Sequence, residues 1–104
     1  ILLTFHNQME KIIGGSLLFI TNKKTSLVFY NVIDEEYRNT QLAVYQLYIC
    51  MQLSISKDMS YIDFGVSHLP KAKNPFEPKK SLIEFKEHFG AVGIIRNVYE
   101  KNIL

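Results

Sequence analysis

An α+β, three-layer domain, with a mixed, mostly antiparallel sheet flanked by helices, is the fold the sequence predicts. Three observations carry it. Three apolar, β-branched segments follow one another through short polar connections up to Ile33. A segment with helical spacing comes next and leads to a short fourth strand, far enough away for a parallel crossover. A second helical segment and a last apolar run then give the order β-β-β-α-β-α-β. At 104 residues the chain is one domain at most, and 47% hydrophobic with 21% charged residues excludes a disordered composition.

Ile1 to Phe5 reads as the first strand and Asn7 to Lys11 as a polar turn. Ile12 to Ile20 is the second strand. It holds Gly14 and Gly15, and glycine inside a strand marks a bulge or the close approach of another group. Thr21 to Ser26 is a hairpin connection, and Leu27 to Ile33 is a third strand, rich in β-branched and aromatic residues. Both longer strands are apolar at consecutive positions, which predicts that both faces are covered. Asp34 to Asn39 is a charged connection with three acids and Arg38. A helix starts near Asn39 or Thr40, either of which can cap it. Leu42, Tyr45, Ile49 and Leu53 recur at helical spacing, and Val44, Leu47, Tyr48 and Met51 fill other faces, so the helix is expected to be largely buried. Tyr61 to Gly65 is a fourth strand. Val66 to Lys80 is a long loop with all three prolines and four lysines. Ser81 with Glu84 fits a capping box for a second helix carrying Leu82, Phe85 and Phe89 on one face and stopping at Gly90. Gly93 to Tyr99 is the last strand.

Charge and composition narrow the function classes. Twelve Lys and Arg against ten Asp and Glu give a net charge of +2, too weak by itself to indicate nucleic acid or an anionic membrane. No apolar run reaches the roughly 18 residues of a membrane helix. The single cysteine, Cys50, excludes an internal disulfide or a multi-cysteine zinc site and reads as a small buried hydrophobe. A cytoplasmic setting is the default. The chain opens at Ile1 as though inside a strand, so the expectation is a single domain over residues 1–104 that is a piece of a longer protein.

The element order resembles the GNAT N-acetyltransferase fold. Lys11-Ile12-Ile13-Gly14-Gly15 before an apolar strand resembles a hairpin of those enzymes. Tyr61-Ile62-Asp63-Phe64-Gly65, followed by Leu82-Ile83-Glu84-Phe85-Lys86-Glu87-His88-Phe89-Gly90, is similar to the pattern of FemAB-like acyltransferases in that superfamily. The resemblance runs from Ile12 to Tyr99 and implies the carboxy-terminal half of an acyltransferase domain. It implies transfer of an acyl group to a small-molecule or peptide amine, with acyl-CoA (acetyl-CoA) or aminoacyl-tRNA as donor and no metal. Typical acetyltransferases carry a glycine-rich pyrophosphate loop before the central helix, from which FemAB-like members often depart. Here that place reads Glu36-Tyr37-Arg38-Asn39-Thr40-Gln41-Leu42-Ala43, without glycine, and the donor stays open between the two.

Arg38, Asn39, Thr40 and Gln41 are the candidate donor-binding residues, since a helix start offers backbone N–H groups and Arg38 adds charge. An ordinary capped helix beside a solvated arginine explains the same residues. Asp63, at a strand end, is a candidate catalytic carboxylate that could orient an amine or take its proton; a structural aspartate bonding the following turn is the plainer account. His68 is a second candidate base, although His6, His68 and His88 all suit solvated surface positions and lack metal-ligand spacing. Gly65 and Lys86 are the candidate substrate-binding residues. Tyr45, Tyr48 and Tyr99 compete for the role of general acid. Two rivals stand beside the enzyme: a non-catalytic module on the same fold, homodimeric through a strand edge, and a nucleic-acid binder using the lysine loop, the weakest of the three.

Overall fold

Strands β1 (Leu2–His6), β2 (Ile12–Ile20) and β3 (Thr25–Ile33) form where the β-branched and aromatic residues concentrate. The structure, a computed structural model, describes residues 1–67, 73–74, 77–94 and 99–103. Turn chemistry sets both hairpins. In the first, Asn7 Oδ1 accepts from the N–H groups of Met9 and Lys11 at 2.9 and 3.0 Å. In the second, Asn22 Oδ1 accepts from the Lys24 N–H at 2.8 Å. Both are side chains bonding their own backbone a few residues on.

The sheet has four strands in the order β1-β2-β3-β4, where β4 is Tyr61–Asp63. The first two pairings are antiparallel and β3 pairs with β4 in parallel. The parallel pairing needs the crossover that α1 (Leu42–Ser56) supplies. Thr40 helps start that helix, its hydroxyl accepting from the Leu42 N–H at 3.2 Å.

The burial of α1 departs from expectation. Its buried residues are Gln46, Leu47, Cys50 and Ser54, whereas Tyr45, Tyr48 and Ile55 are exposed. The helix is apolar all round, so no stripe in the sequence marks the inward face. The short and polar side chains lie inward because the sheet gives them partners. Ser54 and Ser26 hydroxyls meet at 2.7 Å, and Gln46 donates to Asn31 Oδ1 at 2.7 Å. Leu18 and Val28, on β2 and β3, are buried with them.

The expectation that both faces of the sheet are covered is also corrected. Leu2, Phe19, Phe29, Tyr30 and Val32 are exposed, Tyr30 and Val32 each by 58%. Consecutive apolar residues on β2 and β3 therefore do not report two covered faces in the described residues.

The chain divides into two compact units, Ile1–Gly65 and Val66–Leu104. The sheet and α1 make up the first. The second contains α2 (Lys80–Glu87), in which Phe85 meets the Phe89 ring just beyond the helix edge to face at 5.6 Å, both half-buried. The capping box is not formed. The helix begins two residues earlier than that motif allows, with Lys79 at the cap and no side-chain cap bond, so Ser81 sits inside the first turn. Gly90 follows the helix at φ +81°, the stop the sequence predicts. Of the last predicted strand, residues 95–98 lie outside the described residues, and Gly93, Ile94 and Tyr99 are not in a strand.

Candidate active site

Chain direction brings several connections to one end of the first unit. β1 runs into the Asn7–Lys11 turn, β2 leaves it, and β3 ends at the Asp34–Gln41 connection that feeds α1. Backbone and side-chain bonds tie these together. The Asp34 N–H donates to Ile13 O at 2.7 Å, and Asn7 Nδ2 donates to the Tyr37 hydroxyl at 3.3 Å. A short 3-10 turn at Glu35–Tyr37 is capped by Asp34, whose Oδ1 accepts from the Glu36 N–H at 3.0 Å. Lys11 and Asp34 approach to 3.9 Å at the surface, a pair worth little in water.

Two irregularities lie further back along β3. β4 pairs with β3 only from Thr25↔Tyr61 to Leu27↔Asp63, and β3 then runs on to Ile33 without it. The register between β2 and β3 shifts from Leu17↔Tyr30 to Leu18↔Val28, which leaves Phe29 as the extra residue of a bulge. Bulges re-aim side chains and end pairing, and they concentrate next to active sites. Here the bulge lies just past Leu27, the last β3 residue paired with β4. Phe29 is 50% exposed, with its ring 5.0 Å from Phe19 and 4.6 Å from Tyr30.

The residues singled out by sequence fall at different places. Arg38, Asn39, Thr40 and Gln41 stand together in the exposed turn that enters α1. Thr40 is engaged, donating its hydroxyl proton to Tyr37 O while capping Leu42, and Gln41 O accepts from the Tyr45 N–H at 2.9 Å. The first-turn amides of a helix lack acceptors within it, so those of Ala43 and Val44 face this same end. Asp63 Oδ1 accepts from the Gly65 N–H at 2.7 Å, the turn bond of the plainer account, and that turn does not use Oδ2. Gly65 sits at φ +79°, where a side chain would be strained. Lys86 belongs to the second unit, where its ammonium donates to Val66 O at 2.9 Å and Ser67 Oγ at 2.8 Å. His68 lies outside the described residues. The structure therefore groups Arg38 to Gln41 near the end of β3 and puts Asp63 and Gly65 where β4 leaves it.

Cys50 is buried on the inward face of α1, as its surroundings in sequence predict. Burial pushes its thiol pKa up, with a hydrogen bond to Ser16 acting the other way. The unfolded thiol therefore loses its proton at lower pH than the folded one. The stability this contributes is full below the ordinary thiol range near about pH 8.5 and is lost as pH rises through it towards the folded value. The expected results are a fall in melting temperature over that alkaline window, smaller in Cys50→Ala, and slow labelling by a thiol reagent until urea unfolds the protein.

Sequence reasoning missed Ser16, Asn31 and Gln46, which form a polar cluster between α1 and the sheet. A signal existed: a glutamine among the apolar residues of the helix and a glycine pair in the strand beneath it. A Cβ added to Gly14 would overlap Gln46 Oε1. The close approach expected at those glycines is that of this side chain.

No protein-family model matches the chain, and no curated protein matches it in sequence. Its architecture does match solved structures. An acetyltransferase from Trypanosoma brucei superposes with a TM-score of 0.66 at 19% identity, covering 97% of this chain and 68% of that one. The chain has the GNAT acetyltransferase fold. A ribosomal-protein-alanine N-acetyltransferase from Brucella melitensis biovar Abortus matches that fold at TM-score 0.68 and 9% identity, over 97% of this chain and 70% of that one. A glucosamine-6-phosphate N-acetyltransferase from Arabidopsis thaliana matches at 0.63 and 16%, over 96% and 65%. The chain thus spans about two-thirds of the length of the acetyltransferase-fold structures it matches, with shares of 68%, 64% and 65% for the first three. Among the described residues no helix is long and apolar enough to cross a membrane, and no group of three or more His, Cys, Asp or Glu residues could hold a metal ion.

Proposed function

We propose that this chain takes part in N-acyl transfer from acyl-CoA, acetyl-CoA first, to a small-molecule or peptide amine. The observation that carries the reading is the parting of β3 from β4 after Leu27 and Asp63, beside a bulge, from where β3 runs on without β4 towards the end where α1 starts. A donor carbonyl would lie in that gap, its oxygen met by strand N–H groups. The amine lone pair forms the C–N bond, the C–S bond breaks, and the thiolate leaves and takes up a proton. Asp63 Oδ2 would receive the amine proton, and the Arg38–Gln41 turn would face the donor phosphates. Positioning supplies the rate.

The fold likeness supports this reading, and the acceptors named for two of the solved structures, ribosomal-protein alanine and glucosamine 6-phosphate, give the first amines to try. A FemAB-like identity and a cytoplasmic setting belong to the same proposal as its finer parts, and aminoacyl-tRNA is the alternative donor. Acetyl-CoA at about 100 times its dissociation constant should add roughly 2.7 kcal/mol and raise the melting temperature by several degrees. A protein whose melting is unmoved by millimolar acetyl-CoA and free coenzyme A overturns the acyl-CoA donor.

One observation favours a second reading, a non-catalytic module on this fold. The connection into α1 has no glycine and carries Asp34, Glu35 and Glu36 against Arg38, a poor cradle for phosphates. That reading predicts no thermal response to either donor, and a homodimer through a strand edge in sedimentation.

A further inference from the structure

The acyl-transfer reading makes no use of the cluster under α1, yet its chemistry is unusual. Ser16 and Gln46 are 1% and 0% exposed. Gln46 Nε2 donates to Asn31 Oδ1 at 2.7 Å and Val32 O at 3.1 Å, with Gly15 O and Ser16 Oγ at 3.3 and 3.4 Å. Ser16 Oγ also donates to Asn31 Oδ1, at 2.7 Å. Asn31 Nδ2 donates to Ala43 O at 3.4 Å, in the first turn of α1. One amide nitrogen has two protons, so these acceptors share them. Gln46 Oε1 is buried with no hydrogen-bond donor among the described residues.

Gln46 satisfies Asn31 Oδ1 and Val32 O while its own Oε1 stays without a donor among the described residues, so the cluster is held at a cost in one unpaired acceptor. What the cluster does is geometric. It joins β2, β3 and α1 in one network, and Asn31 ties it to the helix backbone at the first turn. That turn follows Arg38–Gln41 directly.

We propose that Asn31 and Gln46 are positioning residues that fix the first turn of α1 over the carboxyl half of β3. They thereby set the separation between the Arg38–Gln41 turn and the gap where β3 and β4 part. This rests on the acyl-transfer reading for the ligand that the separation serves, but the clamp itself can be tested without it.

The experiment compares wild type with Asn31→Ala and, as a variant that keeps side-chain volume, Gln46→Met. Amide exchange is read at Tyr45, whose N–H bonds Gln41 O in the first turn, and at Ser54 near the other end of the helix. The expected result is exchange at Tyr45 faster by about tenfold or more, with Ser54 changed much less. In transfer assays KM for acetyl-CoA should rise about tenfold with kcat within about twofold. Equal acceleration at both amides, or none, overturns the clamp. Selective acceleration with KM unchanged overturns its role towards the donor. A wild type that neither binds nor uses acetyl-CoA refutes the transfer reading instead, and the exchange ratio still decides the clamp.

Discussion

Gly14→Ala is expected to lower the melting temperature by about 10–20 °C, from roughly 2–3 kcal/mol of overpacking in a domain of this size. The added Cβ would overlap Gln46 Oε1 and fall 3.0 Å from its Cδ and 3.2 Å from Val32 O. A free side-chain end would swing away at little cost. Gln46 is held by its amide to two strands and is fully buried, so moving it breaks bonds to Asn31 Oδ1 and Val32 O. The β3 carbonyl behind it belongs to the sheet and cannot retreat freely. The test is a double-mutant cycle with Gln46→Ala, which opens the space the methyl needs. The two changes should couple by about 0.5–3 kcal/mol, the double variant being more stable than the sum of the singles. Additive losses would mean that the backbone, not Gln46, resists the methyl group. Gly15 is the control on the same strand: among the described residues a Cβ there meets Leu3 O alone, at 3.3 Å.

The glycine pair also shows how far the sequence speaks. That two glycines inside an apolar strand mean a close approach is legible; that the approaching group is a glutamine on a distant helix is not, because no pairwise signal links them. The apolar run bounds β2 correctly. β3 begins two residues earlier than its apolar run, at Thr25, because Ser26 is buried against Ser54 through a hydrogen bond and so behaves as a core residue. The inward face of α1 escapes the sequence for the same reason. Hydrophobic periodicity sees greasy stripes, and this interface is made of Gln46, Cys50 and Ser54 alongside Leu47, with the polar partners lying on other strands. The antiparallel start and the parallel crossover are legible from connection lengths alone. The position of the site is less a matter of residues than of where β4 stops pairing, and so short a strand gives little sequence signal of that. Lys86 illustrates the limit in the other unit: its motif suggests a ligand contact, and its ammonium meets Val66 O and Ser67 Oγ.

Asp63→Asn separates the two roles one carboxylate can play. As a structural residue Asp63 needs only an oxygen to accept from the Gly65 N–H, and asparagine supplies the same oxygen in the same place. Asp63→Asn should therefore leave the melting temperature within about a degree or two of wild type, while Asp63→Ala, which deletes the acceptor, should cost about 1 kcal/mol and several degrees. As the base of the proposed transfer, Asp63 needs a charge, because an amide cannot take the amine proton. Activity in Asp63→Asn should then fall by about 10²–10⁴-fold at neutral pH, with acetyl-CoA binding retained. The loss should shrink with acceptors of lower amine pKa, which arrive already deprotonated and leave the base less to do. An Asp63→Asn variant that stays both stable and fully active would confine Asp63 to its turn and move the search for the base to other residues beside the gap between β3 and β4. The pair of variants thus assigns the residue whichever way it falls, since stability reads the hydrogen bond and turnover reads the charge.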